Sequence, residues 1–435
     1  MSAPAPVPPR RRGACPALSA PMQTGDGLLV RLVPESGALD LTALAGLARA
    51  AQLCGNGILE VTARGSLQMR GLSRATLPTL VETVTALGIS AREGLSIALS
   101  PLSGMDASER RDGRALARAI LEGVSDAGLH GRLGPKVSVV IDGGGAVTLD
   151  TLKADIRLLA RADGRWGFEL ASDGQTAVLD GDATEEEAAA RVVDHLGRIA
   201  NWGPDARMTD LLKDAPRAAV TTSGGRPAAA GQALALRNGT FALPLALAFG
   251  STDSGAMIAL ADTARAHGVL DMRPAPARLL LATGLAADQV EPFRAAAGAL
   301  GFIVDPRDPR LFVAACPGAP RCASGLLTSR AVAGEVARAL APLLDGTAEI
   351  HLSGCSKGCA HPAPATLTLV GIQREGMDSA LALVRHGTAG STPQAVFPVS
   401  RLPQFLALAP ALAQKGGTGA AALERLAAMM EPCEG

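Results

Sequence analysis

The sequence predicts an α+β fold of two related halves, with mixed sheets and helices packed on them. Three observations carry that expectation. Apolar, strand-like runs alternate with amphipathic helical stretches, the pattern of layered α/β and α+β domains. The same order of elements recurs about 213 residues further along the chain. With 435 residues, 48% of them hydrophobic, the chain can fill two or three cored domains.

Residues 1–20, rich in proline and with a short arginine cluster, read as a flexible tail, without the apolar stretch of a signal peptide. The first copy spans 21–202. It opens with a strand (LLVRLV), a helix (LTALAGLARAAQLCG) and two more strands (GILEVTA, LQMRGL) between Gly27 and Leu72. A helix (76–87), a strand into a proline-bearing loop (SIALSPLSG), another helix (about 114–126) and LGPKVSVVIDG follow. An acidic turn, Glu185 to Glu187, opens a helix running to Trp202, since carboxylates favour helix N-termini. Residues 203–238, rich in Gly, Pro, Ser and Thr, read as a linker. The second copy, 239–435, repeats the plan with FALPLALAF, MIALADTARAHG, GVLDMRP and RLLLATGL. FVAACPGAP matches SIALSPLSG, and the spacing of Gly134 and Gly354 suggests that LGPKVSVV matches LSGCSKGC. A helical segment ends the chain.

Charge excludes two broad classes of partner. With 41 basic and 41 acidic residues, nothing points to nucleic acid or to an anionic membrane. The longest apolar run, Phe241 to Phe249, is far short of the ~20 residues of a membrane span. A cytoplasmic protein with reduced thiols is expected. No HExxH, phosphate-binding loop or GxGxxG stands out, so electrons are expected from a separate donor or reductase.

Four cysteines carry the chemistry. Cys316 and Cys322 form a C-x5-C pair, and Cys355 and Cys359 a C-x3-C pair, both among glycines and prolines. Four thiolates suit a [4Fe-4S] cluster. The competing readings are structural zinc, whose pairs are usually closer than C-x5-C, disulfides, which need an oxidising compartment, and inert buried thiols. Cys15, Cys54 and Cys433 are scattered and read as structural.

The pattern VTARGSLQMRG reads as a strand pair carrying Thr62, Arg64, Gln68 and Arg70. Alternate strand residues share a face, and an arginine fork binds carboxylates in two-point fashion. Lys136, Arg273, Arg278, Arg321 and Lys357 are further basic candidates. His351 and His361 flank the second cysteine pair and could contact iron or substrate.

These motifs resemble the sirohaem-dependent nitrite and sulfite reductase family, from about Pro16 to Gly371. The resemblance rests on the cysteine spacing, on T-x-R-x-x-x-Q and on the duplicated halves. It implies two ferredoxin-like, sulfite-reductase-type halves. It also implies a [4Fe-4S] cluster on Cys316, Cys322, Cys355 and Cys359, with Cys359 nearest a tetrapyrrole. Thr62, Arg64, Gln68 and Arg70 would face the macrocycle, with Lys136 and the other basic candidates around it. Within the family, CPALSAPMQTGDGLLVRL, LSPLSGMD, ACPGAPRCASGLLTSR and IHLSGCSKGCAHPAPATLTLVG resemble a subgroup of aerobic cobalamin (vitamin B12) biosynthesis. That subgroup implies a monooxygenase acting on precorrin-3A with O2, hydroxylating C-20 and closing a γ-lactone. It further implies a mononuclear non-haem iron, for which only His361 and His351 offer themselves. Sulfite reductases carry two lysines in the strand matched to GPKVSVV, and here Ser138 stands in for the second. The alternative implied by the family at large is reduction of nitrite or sulfite on bound sirohaem.

Overall fold

The structure is a computed structural model that describes residues 16–91, 94–221 and 228–429. Cys15, Cys433 and most of the N-terminal tail lie outside them. The first unit comprises β1 (Met22–Thr24), β2 (Gly27–Leu32), β3 (Leu39–Asp40), α1 (Leu41–Cys54), β4 (Ile58–Val61), β5 (Leu67–Leu72) and α2 (Leu77–Ala86). A larger sheet follows, from β6 (Ser96–Leu99), α3 (Arg114–Asp126), β7 (Ser138–Asp142), β8 (Ala154–Ala160), β9 (Trp166–Ser172), β10 (Thr176–Ala183) and α4 (Glu185–Trp202). The stretch expected as a linker holds α5 (Met208–Leu211), β11 (Ala218–Ala219) and β12 (Leu234–Ala235). The second half supplies β13 (Phe241–Ala246), β14 (Ser251–Asp253), α6 (Ser254–Ala266), β15 (Asp271–Ala275), β16 (Leu279–Leu285) and α7 (Val290–Ala299). Its larger sheet has β17 (Val313–Ala315), α8 (Ser329–Ala339), β18 (Ile350–Ser353), β19 (Ala365–Arg374), β20 (Met377–Gly387) and β21 (Ala395–Pro398). Helices α9 (Leu402–Leu406), α10 (Ala409–Ala413) and α11 (Gly419–Ala428) pack on it through Phe405, Leu412 and Leu426.

The repeat is visible atom by atom at a spacing of 213 residues. Asp40 caps α1 by accepting from the Ala43 N–H at 2.7 Å, and Asp253 caps α6 by accepting from Ala256 at 2.9 Å. Such side-chain caps satisfy donors that the first helical turn leaves open. The ladder slips between Leu28 and Val30 in one half and between Phe241 and Leu243 in the other. Each slip faces a left-handed glycine, Gly71 or Gly284.

The two small sheets exchange edges. Their orders are β1-β2-β5-β4-β14 and β12-β13-β16-β15-β3. Thus β14 of the second half closes the first sheet, Thr252 opposite Leu59, and β3 of the first closes the second, Met272 opposite Leu39. One core runs through both, holding Leu44 and Leu47 with Leu260 and Phe293. Chain order separates the halves at the linker, but in space the small units make one body.

The larger sheets share a plan. In one, β6, β7 and β8 run parallel and β9 and β10 return antiparallel, with β11 added at the edge. In the other, β17, β18 and β19 run parallel before β20 and β21 return. Strand β7 therefore holds the place of β18. The loop that answers Gly354–Cys355 begins after Asp142, at Gly143, and the sequence match of Gly134 to Gly354 is corrected. No helix is long and apolar enough to cross a membrane among the described residues.

Candidate functional site

Cys316 follows β17 and Cys355 follows β18, at the C-terminal ends of neighbouring parallel strands, where open α/β sheets usually bind ligands. The two cysteine loops touch. Gly354 N–H points to Cys316 Sγ at 3.1 Å, and Leu326 N–H donates to the Gly354 carbonyl at 2.7 Å. A Cβ on Gly354 would stand 3.1 Å from Gly318 Cα and 3.3 Å from Gly325 Cα, so glycine permits this approach. Lys357 Nζ donates across the loops to Ser324 Oγ at 2.6 Å. Cys316, Cys322 and Cys355 are half-buried thiols, while Cys359 is exposed. Four thiols on adjoining loops fit a [4Fe-4S] cluster in donor chemistry. Among the described residues, however, no three His, Cys, Asp or Glu side chains are drawn together as a ligand set. The same finding leaves a 2-His-1-carboxylate iron without support. Cys54 is buried, and burial raises its thiol pKa, as suits an inert core residue.

The first half docks on the Cys316–Cys322 loop. Arg70, almost wholly buried on β5, donates to both Asp26 carboxylate oxygens at 3.1 and 3.0 Å and to the Arg321 carbonyl at 2.7 Å. Burial alone would raise the Asp26 pKa. Hydrogen bonds from Arg70 and Thr24, with the Arg70 charge, hold it below the ordinary carboxylate range. The Arg70 charge is therefore committed to Asp26, which corrects its reading as an open carboxylate receptor. Gln68 is committed too: it donates to Glu60 and accepts from Arg31 Nε at 2.9 Å, while Glu60 pairs with Arg330 on α8. The Gly25 backbone lies against the same loop. A Cβ there would meet Pro320 O at 2.6 Å and Ala323 N at 2.8 Å. Gly25→Ala should cost about 1–3 kcal/mol through forced overpacking, read as a lower urea midpoint. An unchanged midpoint would show that this contact yields freely.

Thr62 and Arg64 do not lie on a strand. β4 ends at Val61, and Thr62 Oγ1 accepts from Ser66 N–H at 3.1 Å within the turn. Arg64 sits at the exposed tip and donates to the Lys153 carbonyl at 2.9 Å. The tip pairs with its counterpart in the second half, Arg64 bridging to Pro276, with Ala277 N–H donating to Ala63 O at 3.1 Å. From that second tip Arg278 donates to the Ala360 carbonyl at 2.6 Å, beside Cys359. Arg273 grips Asp271 at 2.8 and 2.9 Å and the Pro101 carbonyl at 2.9 Å. Each half thus clamps a proline loop of the other. The Arg321 side chain is half-buried beside Cys322.

Lys136 lies elsewhere. It precedes β7, while Asp142 closes β7 and Pro101 lies just past the same end of β6, the two strands running parallel in register Ser96 to Ser138. Six residues of strand amount to roughly 20 Å. Ser138 is buried under Asp155, which accepts its N–H at 2.9 Å. Both residues therefore stand at the start of β7, away from the strand end that answers the cysteine loops.

His351, on β18, is fully buried under the Cys355–Cys359 loop, and neither ring nitrogen has a hydrogen-bond partner among the described residues. The His361 ring centroid is 5.7 Å away, and His361 Nε2 lies 3.5 Å from Glu349. Burial first, then the charges of His361 and Arg278, lower the His351 pKa from 6.5 to about 4. The unfolded chain therefore takes up this proton at higher pH than the folded one. Stability should fall as pH drops from about 6.5 towards about 4, by on the order of 3 kcal/mol. Urea midpoints at pH 7 and 4.5 test this, and His351→Leu should flatten the dependence. An equal slope in the variant would refute it.

Sequence reasoning missed Asp26, Asp271, Glu60 and Arg330. Asp271 lies two residues from Arg273, and that spacing was the one available signal.

The family model for the nitrite/sulfite reductase ferredoxin-like half domain matches residues 20–87. A precorrin-3B synthase from a Sinorhizobium species is 38% identical over 395 residues, covering 88% of this chain and 85% of that protein. A ferredoxin–nitrite reductase from Synechococcus elongatus is 31% identical over 153 residues, 33% of this chain and 30% of that one. The structure of the NirA protein of Mycobacterium tuberculosis superposes with a TM-score of 0.70 over 92% of this chain and 83% of that one, at 16% identity, and so shares the fold.

Proposed function

The chain belongs to the precorrin-3B synthase family, and from that premise we propose that it hydroxylates precorrin-3A at C-20, with O2, in aerobic cobalamin biosynthesis. An acetate side chain of the macrocycle would close the γ-lactone. One observation carries this reading above reduction of nitrite or sulfite. Likeness to a precorrin-3B synthase spans 88% of the chain, whereas likeness to the nitrite reductase spans 33%. Both relatives are oxidoreductases, and so is this chain.

In this reading Cys316, Cys322, Cys355 and Cys359 hold a [4Fe-4S] cluster, which when bound relays single electrons from a separate donor. The chain's own residues position the parts. Arg70 and Asp26 lock the first cysteine loop, Lys357 ties it to the second, and the paired tips carry Arg64 and Arg278 towards the two larger sheets. The substrate would lie between those tips and the cysteine loops. No ligand set for a mononuclear iron forms among the described residues, so no step is assigned to one.

The test incubates anaerobically purified protein with precorrin-3A and a reductant, with and without O2. Lactone product formed only with O2 supports the reading. Sirohaem absorption bands with turnover of nitrite or sulfite, and none of precorrin-3A, would replace it by the reductase alternative.

A further inference from the structure

We propose that Ser329 is a positioning residue for the iron–sulfur cluster, donating a hydrogen bond to the Cys316 sulfur and so holding the reduction potential up. This deepens the reading that Cys316, Cys322, Cys355 and Cys359 hold a [4Fe-4S] cluster, and rests on it.

The hydroxyl lies at the seam of the two cysteine loops. Ser329 opens α8 and is fully buried. Its Oγ lies 3.6 Å from Cys316 Sγ, which also receives the Gly354 N–H at 3.1 Å. Glycines of both loops leave room for it. A Cβ on Gly318 would stand 2.9 Å from Ser329 Oγ, and one on Gly354 would stand 3.4 Å away. Next along the helix, Arg330 pairs with the buried Glu60 of β4, which fixes the first turn of α8 against the first half.

Helix formation does not account for the hydroxyl. Serine favours the N-cap, but the cap of α8 is Thr328, and no side chain caps there. One position further on, alanine is the better helix former. The Leu327 carbonyl is 3.3 Å from Ser329 Oγ, and it is already served by the Ala319 N–H at 2.8 Å. While Cys316 is a thiol, its S–H donates to Ser329 Oγ. An iron-bound thiolate has no proton, so the direction reverses and the hydroxyl, whose hydrogen rotates to suit, becomes the donor. Hydrogen bonds to the sulfurs help to set the potential of such clusters. A donor draws electron density from the sulfur and stabilises the reduced, more negative state. The repeat agrees. At the spacing that aligns Pro101 with Pro317, Ser100 stands in place of Cys316 and Gly113 in place of Ser329. The half without the thiols lacks this hydroxyl as well.

Ser329→Ala removes the donor and suits the helix. Ser353→Ala is the control, because that buried hydroxyl donates to the Cys355 carbonyl at 2.7 Å and not to a sulfur. Each protein is purified anaerobically, assayed for iron and sulfide, and titrated with reductant while the reduced cluster is followed by electron paramagnetic resonance. Ser329→Ala should lower the ratio of reduced to oxidised cluster at a fixed potential about tenfold, a shift of about 59 mV to more negative values for one electron. Iron and sulfide should stay at wild-type levels. With precorrin-3A, kcat should fall and KM should hold, since the buried serine does not reach the substrate. Ser329→Thr keeps the hydroxyl and should restore the potential at least in part, and Ser353→Ala should keep the wild-type value. An unchanged potential in Ser329→Ala would overturn the assignment. So would an equal shift in Ser353→Ala, which would mark a general loosening of the loops. Loss of iron and sulfide from Ser329→Ala would overturn it too, by making the serine a structural prop. A wild-type protein without iron and sulfide sinks the cluster reading itself and this assignment with it. A shifted potential in a protein inert towards precorrin-3A sinks only the proposed reaction.

Discussion

Cys322→Ser should yield a folded protein without acid-labile sulfide, with iron lost and precorrin-3A turnover abolished. The loop is shaped by its backbone, Cys322 N–H donating to Gly318 O and Gly325 N–H to Cys322 O, each at 2.8 Å. Serine keeps those bonds and nearly the same volume, so stability should change by less than about 1 kcal/mol before metal is counted. What disappears is a soft thiolate ligand, which a hydroxyl does not replace. The same preparation separates the competing readings of the cysteines. A wild-type protein with zinc and no sulfide would mark a structural site, and a variant that keeps iron and sulfide would remove Cys322 from the ligand set.

Arg157→Met should be the most damaging change to stability, at about 3–5 kcal/mol, the usual loss when one partner of a buried ion pair is removed. Arg157 on β8 is fully buried and serves Glu169 at 2.6 Å, Asp150, Asp142 at 3.6 Å and the Thr221 carbonyl at 2.9 Å. Without it, Glu169 and Asp142 are buried carboxylates facing no cation in this network. Burial already raises the Asp142 pKa, despite hydrogen bonds from Gly144 and Leu149 and the Arg157 charge. A folded-state pKa above the unfolded value means that the native state holds its proton longer. The deficit of the variant relative to wild type should therefore be smaller at pH 5 than at pH 7, because protonation relieves the unpaired charge. Urea midpoints at both pH values test this, and a loss under 1 kcal/mol at pH 7 would refute it. The cluster lies near Asp142, at the strand end that answers the cysteine-bearing end of the second sheet. One half fills that end with an ion network, and the other leaves it to thiols.

The duplication was legible because the same order of strands and helices recurs about 213 residues on, and the capping Asp40 and Asp253 and the left-handed Gly71 and Gly284 keep that spacing in the fold. The edge exchange was not, since β3 and β14 are two and three residues long and carry no periodicity of their own. The glycines of the two cysteine loops were visible in the sequence, and the fold brings those loops into contact. Basic residues misled for a physical reason: sequence shows a charge but not its partner. Arg70 finds Asp26 across the sheet, and only the fold distinguishes it from Arg278. Lys136 was misplaced because a Gly-Pro pair before a strand looked like the glycine after one.

The exchanged edges also set the order of biosynthesis. As the first half leaves the ribosome, β4 has no outer neighbour, because β14 is still unmade, and β3 waits for β15, more than half the chain away. An open strand edge is an adhesive surface, and distant pairings form late. The nascent first half is therefore the aggregation-prone species, and the docking of the cysteine loops on it has to await the rest of the polypeptide.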